Sequence, residues 1–104
     1  VGSVVSVSFP FSNLKGQKIR PALVLDNVEF DNVILCQITS RSYTSKTAIR
    51  IDSGDFKEGS LPISSFVRPD KLFTSDPDII KTVMGKLSPK IKNKVLKRVR
   101  KIFS

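Results

Sequence analysis

Three polar side chains stand at the ends of two apolar runs, where they could act together on one anionic group. Arg20 opens the run R-P-A-L-V-L, and Thr39 and Ser40 close the run V-I-L-C-Q-I-T-S. If the two runs pair as an antiparallel hairpin through residues 29–31, Arg20 and Thr39 come to the same edge of a sheet. A guanidinium matches phosphate oxygens bidentately, and hydroxyls donate to such oxygens or relay a proton. The pairing therefore predicts a site for a phosphodiester.

A polar loop leads into this predicted site. The loop S-N-L-K-G-Q-K (residues 12–18) runs directly toward Arg20 and brings Lys15 to the same edge. The pattern also allows a structural interpretation. An arginine at the start of a strand often forms only a surface salt bridge, and a threonine suits a strand because its side chain is β-branched. On residue pattern alone, both interpretations stay open.

The residue types that are missing exclude several kinds of active site. The sequence has no histidine, which excludes Ser-His and Cys-His nucleophile pairs and a histidine-ligated zinc site. The one cysteine, Cys36, lies inside an apolar run. We expect it to be a buried, reduced thiol that behaves as a small apolar side chain.

The positive charge is concentrated at one end of the chain. The net charge is +9, and residues 88–104 carry seven of the 18 Lys and Arg residues and no acidic residue, which leaves only +2 for the rest. Such a segment is suited to a polyanion or an acidic partner. It is equally consistent with a solvated helix face whose lysines lie near the favourable C-terminal end of the helix dipole.

The first two thirds of the chain show the pattern of short strands. In V-V-S-V-S-F-P-F (residues 4–11) valines and phenylalanines alternate with serines and proline, as in a half-buried strand. The two apolar runs around residues 20–40 suggest a hairpin. T-A-I-R-I-D (47–52) alternates again, and L-P-I-S-S-F-V-R-P-D-K-L-F (61–73) predicts one or two strands interrupted by prolines.

The last third changes to helical signals. Asp76 as an N-cap, Pro77 after it and a stop at Gly85 predict a helix over 76–84 that buries Ile79, Ile80 and Val83. Ser88 and Pro89 open a second predicted helix by the same logic. Its apolar stripe consists of Ile91, Val95, Val99, Ile102 and Phe103. Strands followed by two helices predict a small barrel with helices packed over it.

Length and hydropathy limit the organisation of the chain. With 104 residues, we expect one domain spanning 1–104. No apolar run approaches the roughly 20 residues that a membrane helix requires, and the start V-G-S-V-V-S-V-S-F lacks the pattern of a signal peptide. We therefore expect a cytoplasmic protein.

Several motifs in the same order resemble one known family. They are G-x-V-x-x-V-x-F at 2–9, R-P-A-L-V-L at 20–25, Q-I-T-S at 37–40, Gly-Ser-Leu at 59–61 and S-x-V-R-P-D-K-L at 65–72. With these motifs over nearly its whole length, the chain resembles the MazF/PemK family of toxin endoribonucleases. The resemblance implies a small SH3-like β-barrel of the MazF/PemK/CcdB type, mainly β with C-terminal α structure. Combined with the pattern above, it predicts a barrel followed by two C-terminal helices.

The resemblance also implies an activity. It implies the toxin of a toxin-antitoxin system, an mRNA interferase that cleaves single-stranded RNA without a metal or cofactor. The 2′-hydroxyl of the RNA attacks the adjacent phosphorus, leaving a 2′,3′-cyclic phosphate and a 5′-hydroxyl. The family's catalytic arginine and threonine correspond to Arg20 and Thr39. The implied partners are the RNA, an acidic antitoxin that occupies the RNA groove, and a second copy of the chain in a homodimer.

The chain departs from the family pattern at two places. Some members have a histidine in the first loop, where this chain offers Asn13, Lys15, Gln17 and Lys18. Others have a carboxylate at the position of Ser65. The predicted RNA-binding residues are Asn13, Lys15, Lys18, Ser40, Arg41, Ser65 and Arg68. Ser65 and Arg68 are equally consistent with a strand-edge serine and a surface arginine.

Three other functions are weighed against the endoribonuclease. The first is a non-catalytic nucleic-acid-binding barrel that uses Arg20, Lys15, Arg41 and the basic helix for phosphates alone. The second is a gyrase-directed toxin of the same fold, against which the R-P and I-T-S motifs argue. The third is an amphipathic helix lying on an anionic membrane, but its apolar stripe is short and mostly β-branched, so we expect it to pack on the barrel.

Overall fold

The computed structural model of the chain describes residues 2–9, 18–27, 32–40 and 47–104. Within these ranges the chain forms seven strands and one α-helix. The elements are β1 (Ser3–Phe9), β2 (Lys18–Asn27), β3 (Val33–Thr39), β4 (Ile49–Ile51), β5 (Phe56–Gly59), β6 (Ser65–Ser75), β7 (Ile80–Leu87) and α1 (Pro89–Ile102). The predicted hairpin and the basic C-terminal helix are present, and the strand predicted within 47–52 is present as the shorter β4.

All seven strands belong to one antiparallel sheet in the order β4-β6-β3-β2-β1-β7-β5. The sheet curls into a half-barrel, and this confirms the predicted mainly β, barrel-like fold class. β2 and β3 pair as the predicted hairpin, with Ala22 opposite Gln37 and Leu23 opposite Cys36. The sheet order places β5 at one edge and β4 at the other.

Apolar side chains are buried on both faces of the sheet. One cluster contains Val4, Leu23, Ile38 and Val67, and it includes Val95 of α1, so the helix covers this face. A second cluster is built from the alternate residues of the same strands: Val5, Val7, Ala22, Val24, Val33 and Leu35. Because successive side chains of a strand point to opposite faces, the two clusters lie on opposite sides of the sheet.

Strand β1 is more deeply buried than its alternation predicts. Val5 and Val7 are buried as expected, but Ser6 and Ser8 are also buried, at 9% and 6% exposure. The reason is the position of β1 between β2 and β7. The hydroxyl of Ser6 lies 2.7 Å from that of Thr82 on β7, which satisfies a polar group that burial would otherwise penalise.

The helix predicted over 76–84 is wrong. Asp76 does form the expected cap, since its Oδ1 accepts a hydrogen bond from the backbone N–H of Asp78 at 2.9 Å, but only a short 3₁₀ turn, Pro77–Ile79, follows. The chain then continues as β7 between β1 and β5. Ile79 and Ile80, predicted to be buried, are only half-buried, and Val83 is 68% exposed. Pairing with two strands satisfies the backbone N–H and C=O groups of β7, and this pairing outweighs the local preference for a helix.

The second predicted helix is confirmed as α1, with Ser88 as N-cap and Pro89 at its start. Val95 is fully buried, and Ile91 and Val99 pack against the same core cluster. Ile102 and Phe103, which the stripe predicted to be buried, are 39% and 73% exposed. Ile102 is the last residue of the helix and Phe103 is its C-cap.

Pro69 does not interrupt the late strand, and Pro62 lies before that strand begins. β6 is one strand of 11 residues, and it pairs with β3 through a bulge, because Gln37 lies opposite Arg68 while Cys36 lies opposite Leu72. Pro69 is buried within this bulge. A bulge accommodates a proline because the residue needs no ladder hydrogen bond there.

Candidate active site

A pocket of about 400 Å³ opens at the end of the sheet at which strand β2 begins and strand β3 ends. Its polar lining comes from Arg20, Thr39, Ser40 and Ser65. Its apolar lining comes from Ile19, Pro21, Ile38, Leu61, Pro62, Ile63 and Met84. A volume of this size lies within the range of small-molecule and nucleotide pockets.

The hairpin register brings Arg20 and Thr39 together. Ala22 pairs with Gln37, so Arg20 and Thr39 each lie two residues further toward the same edge of the sheet. Thr39 is 7% exposed, and Nε of Arg20 is buried. Arg20, Thr39 and Ser40, which the pattern predicted at one end of the hairpin, all line this pocket.

The opposite wall of the pocket is a segment held in place by two glycines. Residues 61–63 follow β5, whose Gly59 pairs with Gly85 of β7. Gly59 has φ +64°, and a Cβ there would lie 2.3 Å from the carbonyl oxygen of Met84. A Cβ on Gly85 would lie 2.5 Å from the carbonyl oxygen of Glu58. Only glycine allows the two backbones to approach this closely, and this approach sets where the wall begins.

A polar cluster anchors the other end of this segment. The hydroxyl of Ser64 donates a hydrogen bond to Asp52, which follows β4, and the backbone N–H of Asp52 donates to Asp55 at 2.8 Å. Arg50 lies 3.5 Å from Asp52. The hydrogen bond from Ser64, assisted by Arg50, holds the pKa of Asp52 below its ordinary value of 3.8. The ionised carboxylate thus helps to hold 61–64 against the sheet.

Ser65 is the third hydroxyl of the pocket. It is 3% exposed, and its Oγ donates to the carbonyl oxygen of Ile63 at 3.1 Å. The proton of Ser65 is therefore directed at the backbone of the wall segment. Its oxygen keeps lone pairs that can accept a hydrogen bond from a ligand.

The apolar half of the pocket was missed by sequence reasoning. Ile19 and Ile63 are 65% and 59% exposed although both are large and apolar, and both line the pocket together with Leu61 and Met84. The Gly-Ser-Leu motif at 59–61 marked this region, but the pattern did not indicate that β7 would bring Met84 to it. An exposed apolar rim beside polar groups is typical of a binding surface.

Other predicted RNA-binding residues lie away from the pocket or outside the described residues. Arg68 is not part of the lining, and its guanidinium pairs with Asp70 at 3.1 Å, with the arginine side chain 15% exposed. The backbone of Lys18 begins β2, while its side chain lies outside what the structure describes. Asn13, Lys15 and Arg41 also lie outside the described residues.

Cys36 has the character predicted for it. It is fully buried, and its Sγ donates to the carbonyl oxygen of Arg68 at 2.8 Å. Burial, together with the nearby charge of Asp70, raises the pKa of the thiol to about 12. A thiol with so high a pKa is not a nucleophile near neutral pH.

Neither a metal-binding cluster nor a membrane-spanning helix is found among the described residues. Residues 2–9, 18–27, 32–40 and 47–104 contain no cluster of three or more His, Cys, Asp or Glu side chains placed to hold a metal ion. The same part of the chain contains no helix with the length and hydropathy required to cross a membrane.

Several solved structures share the fold of this chain. An endoribonuclease in complex with its cognate antitoxin from Mycobacterial species has 19% identity and a TM-score of 0.74, with 98% of this chain and 91% of the other covered. The Mycobacterium tuberculosis toxin MazF-mt6 has 18% identity and a TM-score of 0.75, with 97% of this chain and 95% of the other covered. MazE-MazF from Deinococcus radiodurans has 18% identity and a TM-score of 0.77, with 99% of this chain and 94% of the other covered.

Sequence identities as low as those of the three structures show a shared fold. Membership of a family is shown instead by comparison of the sequence with a family model. No curated protein matches the chain significantly. The PemK-like, MazF-like toxin family of type II toxin-antitoxin systems, however, matches residues 1–103. With a half-barrel of the same fold and its motif residues Arg20 and Thr39 in one pocket, the chain belongs to the family of PemK-like, MazF-like toxins of type II toxin-antitoxin systems.

Proposed function

We propose that this toxin is a metal-independent endoribonuclease that cleaves single-stranded RNA by transesterification. The observation that carries the proposal is the convergence of Arg20, Thr39 and Ser40 in one pocket of a chain that belongs to this family. A guanidinium beside two hydroxyls is suited to a phosphodiester. The RNA supplies the nucleophile itself, so the protein needs neither a histidine nor a reactive thiol.

The reaction forms one bond to phosphorus and breaks another. The 2′-oxygen attacks the adjacent phosphorus and loses its proton, the bond from phosphorus to the 5′-oxygen breaks, and the leaving oxygen takes a proton. The products are a 2′,3′-cyclic phosphate and a 5′-hydroxyl. Arg20 stabilises the negative charge that builds on the non-bridging oxygens. Because an arginine stays protonated near neutral pH and is a poor base, Thr39 orients the phosphate or relays the proton.

The remaining lining residues bind the RNA. Ser40 is exposed at the mouth of the pocket and can donate to a neighbouring phosphate, while Ser65 offers an acceptor oxygen. Ser65 occupies the position at which some relatives have a carboxylate, so we expect slower cleavage than a site with a base there would give. Asn13, Lys15 and Arg41, with Lys18 and Arg68, stay predicted RNA contacts.

The experiment that tests the function is cleavage of a long single-stranded RNA in EDTA, with the new ends mapped chemically. Arg20→Ala should lower the rate by about 100- to 1000-fold, the scale seen when one oxyanion donor is removed. Lys81→Ala is the control, because Lys81 is an exposed cation on β7. Equal rates for Arg20→Ala and wild type would refute the assignment. RNA binding without any cleavage would instead support the non-catalytic binding barrel.

The proposal includes two protein partners. The Mycobacterial relative is in complex with its cognate antitoxin, and the Deinococcus structure is MazE-MazF. We therefore assign this chain an acidic antitoxin that competes with RNA for the pocket, in keeping with its net charge of +9. We also propose a homodimer. Light scattering over a dilution series should show twice the chain mass, and a fully active monomer would contradict the dimer.

A further inference from the structure

The exposed face of α1 carries a regular row of cations. Lys90, Lys94, Lys97 and Lys101 follow one another at intervals of four, three and four residues, and all four are exposed. Residues three and four apart lie on one side of a helix, so the four ammonium groups form a stripe about 16 Å long at a rise of 1.5 Å per residue. We call these four residues the lysine stripe. The buried Val95 faces the other way, into the core.

Carboxylates of the described residues do not neutralise this stripe. The two ion pairs found in residues 2–9, 18–27, 32–40 and 47–104, Arg50–Asp52 and Arg68–Asp70, do not involve a lysine of the stripe. Within α1 itself there is no acidic residue. Like charges three and four residues apart destabilise a helix by a few tenths of a kcal/mol per pair. A row that repels itself in this way is stabilised when a polyanion binds along it.

The end of the stripe borders a second groove. This groove has a volume of about 460 Å³ and is lined by Thr47, Arg98, Lys101 and Ile102. One guanidinium nitrogen of Arg98 donates to the carbonyl oxygen of Thr47 at 3.3 Å, which fixes the side chain at the groove. The exposed part of Ile102 adds an apolar surface beside the two cations. A guanidinium, an ammonium group and an apolar wall suit a phosphate joined to a sugar and base.

The groove lies a short length of chain from the candidate active site. Ser40 lines the active-site pocket and Thr47 lines the groove. Seven residues of fully extended chain span at most about 25 Å, which sets the upper limit on the distance between the two positions. An RNA strand with about 3.4 Å between successive nucleotides covers that distance in roughly seven nucleotides. A more extended RNA strand needs fewer nucleotides.

From these observations we propose that the groove and the lysine stripe form a second phosphate-binding site for the RNA strand that leaves the active-site pocket. The inference rests on the proposed ribonuclease function and adds a substrate property, namely that the protein binds long strands better than strands confined to the pocket. The regular spacing favours RNA over an acidic peptide, because a nucleic acid carries one charge at every nucleotide while acidic residues in a peptide are irregularly spaced.

The test compares two variants with the same change in net charge. The first, the stripe variant, neutralises three of the four lysines of the stripe with Lys94→Gln, Lys97→Gln and Lys101→Gln. The matched control neutralises Lys57, Lys81 and Lys86, three exposed lysines on β5 and β7, in the same way. Glutamine and lysine have similar helix propensities, so α1 should persist, as circular dichroism would verify. Binding is measured with a long 2′-O-methyl RNA, which lacks the nucleophile and stays intact.

We expect the RNA affinity of the stripe variant to depend less on salt than that of the wild type, and the affinity of the control variant to keep the wild-type salt dependence. Each phosphate contact contributes about 0.7 to the slope of log affinity against log salt for single strands, so losing three contacts should reduce the slope by about 2. Between about 50 and 200 mM salt, the affinity of the wild type should then fall roughly 20-fold more than that of the stripe variant. The preference for cleaving long RNA over a trinucleotide should shrink in the stripe variant and persist in the control.

Each other outcome has a definite meaning. Identical salt slopes in the wild type and the stripe variant would overturn the second site, even if the wild type cleaves RNA. If the stripe variant loses binding to polyglutamate while its RNA slope is unchanged, the surface serves an acidic protein and the proposal is wrong. If no RNA is cleaved by any form yet the slopes differ as expected, the stripe binds RNA and the proposed catalytic function fails instead.

Discussion

Replacing Gly59 by alanine should displace the wall of the pocket, because the added methyl group would clash with the backbone of β7. Gly59 ends β5, the edge strand that leads into the wall segment 61–63. It has φ +64°, and a Cβ would lie 2.3 Å from the carbonyl oxygen of Met84 and 2.8 Å from Cα of Gly85. Both contacts are to backbone, which cannot rotate away as a flexible side chain can. The variant Gly59→Ala must therefore move β5 relative to β7.

The free-energy cost has two parts. A left-handed backbone conformation costs a residue with a Cβ about 1–2 kcal/mol, and forcing extra volume into a closely packed contact costs about 1–3 kcal/mol. Together these give a loss of roughly 3 kcal/mol in the free energy of unfolding. At about 4–8 °C per kcal/mol for a domain of this size, the melting temperature should fall by roughly 12–24 °C.

Gly54→Ala is the matched control, because a Cβ at Gly54 meets no atom within 4 Å. Thermal unfolding of the three proteins, followed by circular dichroism, measures the difference. Hydrogen exchange of the β5 amides and RNA cleavage then show whether the wall segment has moved from the pocket. If Gly59→Ala melts at the same temperature as Gly54→Ala and cleaves RNA as wild type does, the close approach of β5 and β7 does not position the wall.

Two further predictions concern the hydroxyl of the pocket and the anchor of its wall. Thr39→Val keeps the branched shape and should fold, but cleavage should fall at least about 100-fold, as for the loss of a proton-transfer group; a folded variant with the wild-type rate would make Thr39 a packing residue. Because the pKa of Asp52 is lowered in the folded chain, its ionised form stabilises the fold above pH 3.8, and this contribution is lost as the pH falls through the lowered pKa. Urea unfolding should thus show wild type more stable than Asp52→Asn near neutral pH and equal to it in strong acid, and a pH-independent difference would contradict the role of the carboxylate.

Local pattern was sufficient for the parts of this fold whose signals lie close together in the chain. The apolar runs at 20–25 and 33–38 lie near enough to pair through a short connection, so the hairpin and the meeting of Arg20 with Thr39 followed from the sequence. Ser88, Pro89 and the stripe of Ile91 and Val95 likewise predicted α1, because capping and periodicity act within a few turns of one helix.

The same reasoning failed where distant strands compete with local preference. The cap at Asp76 formed as predicted, yet residues 80–87 became a strand because β1 and β5 both pair with them. Ser6 was predicted to face solvent, but its hydroxyl meets Thr82, 76 residues away in sequence. A local pattern carries no information on such partners.

The sequence by itself determined that Arg20, Thr39 and Ser40 lie at one end of a hairpin, and only the tertiary structure brought Ser65 of β6 and the apolar lining to them. Arg20, Thr39 and Ser40 are brought together by one hairpin, whose register depends on neighbouring residues. Ile63 and Met84 reach the same pocket only because Gly59 and Gly85 let β5 and β7 approach and because Asp52 holds Ser64. These contacts join segments separated in sequence, and they form only when the whole sheet has folded.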